Sequence, residues 1–213
     1  MKTPLAAVIA LILVAGFFPA CKKEAPTPKG KVKTPKVAVQ EVNVEIRPDG
    51  LAYLPGSAGP FTGDALEIHA DRTPPTLAKR TPYTNGKKNG AVTTYSPGGR
   101  KREERRYDNG LPVSSDVFYS NGQHKIEVLL NAKDLAQGPY KRWHDNGVLE
   151  AEATFDENEF FHGIEKDYDR EGNLVGHYRK EHGILLEVIF ETPEMKKIRF
   201  DKGYLLPSEK VEK

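Results

Sequence analysis

Four features of this 213-residue chain hold side chains that could do chemistry: one cysteine (Cys21), six histidines, the run YTNGKKNGAVTTYSPGG at Tyr83–Gly99, and the acidic hexapeptide DYDREG at Asp167–Gly172. Each chemistry imposes a spacing. A phosphate loop needs a glycine turn that opens a helix, whose free N–H groups hold the anion; here the β-branched AVTTY follows instead. A calcium loop of the DYDREG type needs a bidentate glutamate at its twelfth position, where this chain has Tyr178. His69, His124, His144, His162, His177 and His182 show no i, i+4 pairing and have no cysteine companions, so no metal is expected. No serine stands at a strand-to-helix elbow, and no two carboxylates have a reason for opposed pKa values. Neither catalysis nor a cofactor is expected, and a single cysteine excludes a disulfide within the chain.

The elements around these residues begin with the N-terminus. Lys2 precedes LAAVIALILVAGFFP, an apolar stretch short for a bilayer, and Ala20 then precedes Cys21. A positive start, an apolar core and a small residue before the cut read as a secretory signal over residues 1–20. The segment also resembles a bacterial lipoprotein signal, with Phe18 where that pattern usually has leucine. The resemblance implies cleavage before Cys21 by signal peptidase II, a diacylglycerol thioether on its sulfur and an acylated amino group. Several acyl chains give stable anchoring where one is marginal. Lys22 rather than aspartate after the cysteine implies the outer membrane, facing the periplasm or the surface.

Residues 21–36 hold Cys21 and then KKEAPTPKGKVKTPK, with six lysines, three prolines and one glutamate. Nothing there can be buried, so it reads as a disordered tether, reaching roughly 45 Å at about 3 Å per residue. Of the 32 basic and 30 acidic residues, Lys2 and the tether take seven basic and one acidic, which leaves 25 against 29. The folded part is near neutral, and no nucleic-acid partner is expected.

An internal repeat organises the rest. Tyr95, Tyr119, Trp143 and Tyr168 follow one another at 24, 24 and 25 residues, each five residues after Gly90, Ser114, Gly138 or Gly163. Each is closed by a turn: YSPGG, YSNG, WHDNG, YDREG. FTGDALEIH is an earlier copy with Ile68 in the aromatic slot, and a second series runs through Tyr83, Tyr107, Phe155 and Tyr178. Short β-branched and aromatic segments bounded by Asn-Gly or Gly-Gly predict hairpins, with turn glycines Gly63, Gly86, Gly90, Gly110, Gly122, Gly138, Gly147, Gly163 and Gly172. No stretch shows sustained helical periodicity. RKREERR at Arg100–Arg106 reads as a solvated strand.

The segments PFTG at Pro60–Gly63, YTNGKKNG at Tyr83–Gly90 and YKRWHDNG at Tyr140–Gly147 resemble the bacterial MORN-variant repeat family, which includes YwqK-type antitoxins. The likeness spans roughly residues 50–203. The fold class predicted is all-β, an elongated antiparallel meander of roughly 24-residue hairpin repeats over residues 37–205, with a charged tail at 206–213. VAVQEVNVEI should supply a first strand, turned at RPDG onto LAY. Tyr95, Tyr119, Trp143 and Tyr168 would form one stripe that shields the sheet and could anchor a protein partner. The expectation is a monomer that holds the membrane through Cys21 and an unidentified protein through its sheet. The resemblance implies an alternative role, immunity against a partner toxin.

Overall fold

The computed structural model describes residues 41–210. The predicted signal 1–20, Cys21, the tether 22–36 and the first residues of the predicted domain, 37–40, lie outside the described residues. The predicted first strand and its RPDG turn appear as a short hairpin, β1 (Glu45–Ile46) on β2 (Ala52–Tyr53). The strands that follow are β3 (Gly63–His69), β4 (Thr76–Thr84), β5 (Lys87–Lys88), β6 (Gly90–Tyr95), β7 (Lys101–Asp108) and β8 (Leu111–Phe118). Then come β9 (His124–Leu130), β10 (Ala136–Trp143), β11 (Leu149–Phe155), β12 (Gly163–Tyr168), β13 (Leu174–Glu181) and β14 (Ile184–Glu191). β3 to β14 make one twelve-stranded antiparallel meander in chain order, β5 pairing only with β4.

The turns explain why these residues meander. All nine glycines expected in turns have positive φ, but Gly63, Gly90, Gly138 and Gly163 lie in β3, β6, β10 and β12 rather than in turns. Along one rim, Ser96, Tyr119, His144 and Asp169 each accept from the N–H three residues on and donate to the carbonyl four residues on. The third-on residues, Gly99, Gly122, Gly147 and Gly172, lie at φ 80 to 93°. That is a type I turn closed by a left-handed residue, the three-residue hairpin loop. The opposite rim uses two-residue turns of the mirror-image type at Asn85-Gly86, Asn109-Gly110 and His182-Gly183, with positive φ at both positions.

Side chains tie successive turns of the first rim together. His69 Nε2 meets the Tyr95 carbonyl at 3.1 Å, Tyr119 Oη donates to the Trp143 carbonyl at 2.7 Å, and His144 Nε2 meets the Tyr168 carbonyl at 2.9 Å. Asn121 and Asn146 donate to the carbonyls of Asp145 and Arg170, each 24 residues on. On the second rim the bonds run the other way. The amides of Gly86, Gly110 and Gly183 donate back to the carbonyls of Phe61, Lys88 and Phe161.

Register assigns two faces. Lys79↔Thr94, Glu103↔Val117, Ile126↔Arg142, Ala151↔Asp167 and Glu165↔Tyr178 chain one set together. This covered face holds the buried Ala65, Thr81, Tyr83, Val92, Ser115, Ala151 and Tyr178. The opposite, open face carries Glu104, Asp116, Glu127, Lys141, Glu152 and Lys166, in keeping with the one-face-solvated habit of antiparallel sheets. The covered face also carries charges, Lys79, Glu103, Arg142, Glu165 and Asp167 among them, and Asp167 is the one whose carboxyl burial shifts most. Burial, reinforced by Glu165, pushes its carboxyl up to about 6 against the pull of Lys180 and Arg142. Its folded pKa is raised, so the penalty is absent below the unfolded value of 3.8, grows as pH rises, and is complete above about 6. Asp167→Asn should therefore stabilise the fold by about 1–2 kcal/mol at pH 7, discounted for a half-buried group. Urea denaturation should show that gain vanishing near pH 4.

The C-terminus corrects the all-strand expectation. A helix, α1 (Pro193–Asp201), follows β14, with Thr192 as its N-cap accepting from the Met195 amide at 3.3 Å and proline in its first turn. Within the charged tail, Pro207–Glu209 form a 3₁₀ turn. Arg199, 6% exposed, holds it there. Its guanidinium bonds both carboxylate oxygens of Glu191 at 2.9 and 3.0 Å, and both of Glu209 at 2.6 and 3.0 Å.

Candidate functional site

The slot just before each first-rim turn is filled by Ile68, Tyr95, Phe118, Trp143 and Tyr168, because His69, Ser96, Tyr119, His144 and Asp169 open the turns. Tyr119 therefore does not belong to the row expected from the 24-residue spacing. It is the turn residue, its half-buried phenol spent on the Trp143 carbonyl, and Phe118 stands in the row. The position five before Phe118 on the same strand is Val113, not Ser114. The bulges at Thr94/Tyr95, Val117/Phe118, Arg142/Trp143 and Asp167/Tyr168 all fall at this slot. A bulge re-aims the side chain beside it.

Alternation places Tyr95, Phe118, Trp143 and Tyr168 on the open face, while Tyr83, Tyr107, Phe155 and Tyr178 lie on the covered one. The second row is packing: Phe155 stacks on Phe161 at 4.6 Å, and Tyr140 meets the edges of both. The first row is half-buried and surrounded by charge. His124 lies edge-on between Phe118 at 4.7 Å and Trp143 at 5.6 Å. Lys101 sits 5.3 Å over the Phe118 ring and pairs with Glu104. Tyr168 Oη donates to Glu152 at 3.0 Å, and Glu152 also holds Lys166 at 3.2 Å.

Around Trp143 the row opens into a shallow depression of about 410 Å³, lined by Gln123, His124, Glu127, Trp143 and Gly147. Asp116, His124 and Glu127 bring one ligand atom each within 4.8 Å of one another there. Burial pushes the Asp116 carboxyl above the usual carboxylate range, although His124, 3.9 Å away, pulls the other way. An aromatic floor, two carboxylates and an imidazole suit contact with a partner's basic or amide-bearing side chains. Spacing along the chain conceals this cluster, since its members come from β8 and β9 and meet only through the register Asp116↔Glu127. A second group, Asp156, His162 and His182, gathers on the opposite rim. His124, His162 and His182, three of the six histidines that spacing gave no reason to connect to a metal, thus fall into two clusters that could hold one.

The MORN repeat variant family model matches residues 136–157. That segment is β10, its first-rim turn, β11 and the start of the following second-rim turn, so it contains Trp143 and one full strand–turn–strand unit. No curated protein matches the chain. The chain is a β-repeat protein carrying a MORN repeat variant.

Proposed function

We propose that this protein is a non-catalytic repeat protein of the bacterial cell envelope. It is held by a lipidated Cys21, at the outer membrane by the Lys22 rule, and presents its open sheet face to a protein partner. The observation that carries the reading is the row Tyr95, Phe118, Trp143 and Tyr168. A packing ladder alone has its place on the covered face, whereas these rings are half-buried among charges on the open one. Aromatic anchors within a polar rim are what protein interfaces use. The resemblance of YKRWHDNG to YwqK-type antitoxins favours a second reading, in which the partner is a toxin and the protein confers immunity.

The test is crosslinking in cells of the full, anchored chain against Trp143→Ala, followed by mass spectrometry. Trp143→Ala should reduce capture about tenfold or more, as hot-spot aromatics do, while circular dichroism stays unchanged. Undiminished capture by a folded variant would remove the open face from the reading. One dominant toxin-like protein near 1:1 supports immunity, and a spread of envelope components supports a scaffold. Cys21→Ala in the same experiment should release the protein from the membrane fraction; retention there would overturn the anchor.

A further inference from the structure

We propose that Asp156, His162 and His182 form a site for a divalent ion of the zinc class, bridging two neighbouring turns of the second rim. Each residue offers one ligand atom, and the three atoms lie within 4.8 Å of one another. His182 Nδ1 is 2.6 Å from Asp156 Oδ2, and the two imidazole rings are 5.3 Å apart. Two imidazoles and one carboxylate are the ligand set that borderline divalent ions prefer, and such a set leaves a position for water. Ligand atoms about 2.1 Å from a tetrahedral ion sit roughly 3.4 Å apart. Both histidines are exposed.

The backbone holds the ligands ready. Asp156 opens its turn, and its Oδ1 accepts from the amides of Asn158 and Phe160 at 2.8 and 3.0 Å, which turns Oδ2 toward His182 Nδ1. His162 is fixed by its amide to the Thr154 carbonyl, and the Gly183 amide bonds Phe161 between the two turns. Carboxylate, first histidine and second histidine are therefore placed by main-chain bonds.

The repeat itself marks His182 as unusual. The other two-residue turns of this rim carry asparagine at the first position, Asn85 and Asn109, at φ 50 and 48°. His182 takes that left-handed position at φ 46°, where asparagine is the better-suited side chain. A simple turn-to-turn contact does not need an imidazole there: the neighbouring turn makes its tie with Glu159 accepting from the Ala136 amide at 2.8 Å. A second histidine across the gap is what a metal adds to the requirement. The other cluster, Asp116, His124 and Glu127, has one imidazole and two carboxylates and is the weaker zinc set.

The test is isothermal titration of zinc chloride into the untagged full chain, purified in detergent and stripped with a chelator. One ion per chain should bind, with affinity lowered at least about tenfold by His182→Asn and by His162→Ala, and unchanged by His124→Ala. His182→Asn restores the asparagine-glycine pair found in the sister turns, so it keeps the fold while removing the ligand. Zinc should raise the unfolding temperature of the wild type and not that of His182→Asn. The proposal is overturned if zinc does not bind, if both rim variants bind like the wild type, or if His124→Ala alone abolishes binding.

Discussion

Arg199→Met should undock the C-terminal segment and cost about 3–5 kcal/mol in the stability of that segment, the range seen when one partner of a buried ion pair is removed. Arg199 is 6% exposed and serves both Glu191 and Glu209, so its loss strands two carboxylates at once. Hydrogen exchange should show the amides of α1 and the Pro207–Glu209 turn losing protection while the central strands keep theirs. The charges are needed only because they are buried together. Arg199→Met combined with Glu191→Leu and Glu209→Leu should recover most of the loss, and a triple variant as weak as the single one would assign the cost to packing instead. Acid offers an independent reading. The bonds from Arg199, with help from the Leu206 amide, hold the Glu209 carboxyl down to about 2. A depressed folded value means the stabilisation is present above the unfolded value of 4.5 and is lost as pH falls toward 2. The wild type should lose α1 protection across that window, and Arg199→Met should show no such step.

Gly86→Ala should be the most damaging single methyl in the sheet, lowering stability by about 2–5 kcal/mol. Two causes add. Gly86 sits at φ +76°, where a Cβ costs about 1–2 kcal/mol, and that Cβ would meet Leu51 Cβ at 2.7 Å and the Ala52 amide nitrogen at 3.1 Å. Overpacking of this kind typically costs a further 1–3 kcal/mol. The site closes a ring of main-chain bonds: Ala52 donates to Gly86, Gly86 to Phe61, and Phe61 to Ala52. Beside it lies the small apolar cluster of Ala52, Ala65 and Tyr83, with Val44 and Phe61 packed against it. Gly99→Ala separates the two causes, since its φ is +80° with nothing within 4 Å of the added carbon. Denaturant midpoints should fall about twice as far for Gly86→Ala; equal falls would remove the packing contribution.

How legible was this in the sequence? Turn chemistry carried the fold: Asn85-Gly86 and Asn109-Gly110 are mirror-image turns because asparagine and glycine tolerate positive φ, and the regular aromatic spacing follows from two strands per copy. The slot was read one residue late in one copy. Phe118 and Tyr119 are both aromatic, and only the hydrogen bond from the Tyr119 amide to the Gln123 carbonyl reveals which of them opens the turn. α1 escaped because periodicity is a weak signal over nine residues, although Thr192-Pro193-Glu194 is a helix start that capping chemistry could have identified. The open-face cluster and the rim histidines were illegible for another reason. Their members are joined by strand register and by turns 26 residues apart, and no local pattern encodes either.

The first-rim ties from Tyr119, Asn121, His144 and Asn146 have side chains as donors and main-chain carbonyls as acceptors, beside an ion pair of Arg170 with Asp145. A carbonyl is the same whatever residue carries it, so those four ties make no demand on the side-chain identity of the next turn. Duplicating or deleting one strand–turn–strand unit leaves each of those donors a carbonyl to meet, and changes the width of the sheet by about 9–10 Å, two strand spacings. Unit number is thus a nearly free variable in the inheritance of this architecture. Relatives of different lengths can descend from one another by unequal recombination within the gene, while each copy drifts in sequence until little but its turns can be recognised.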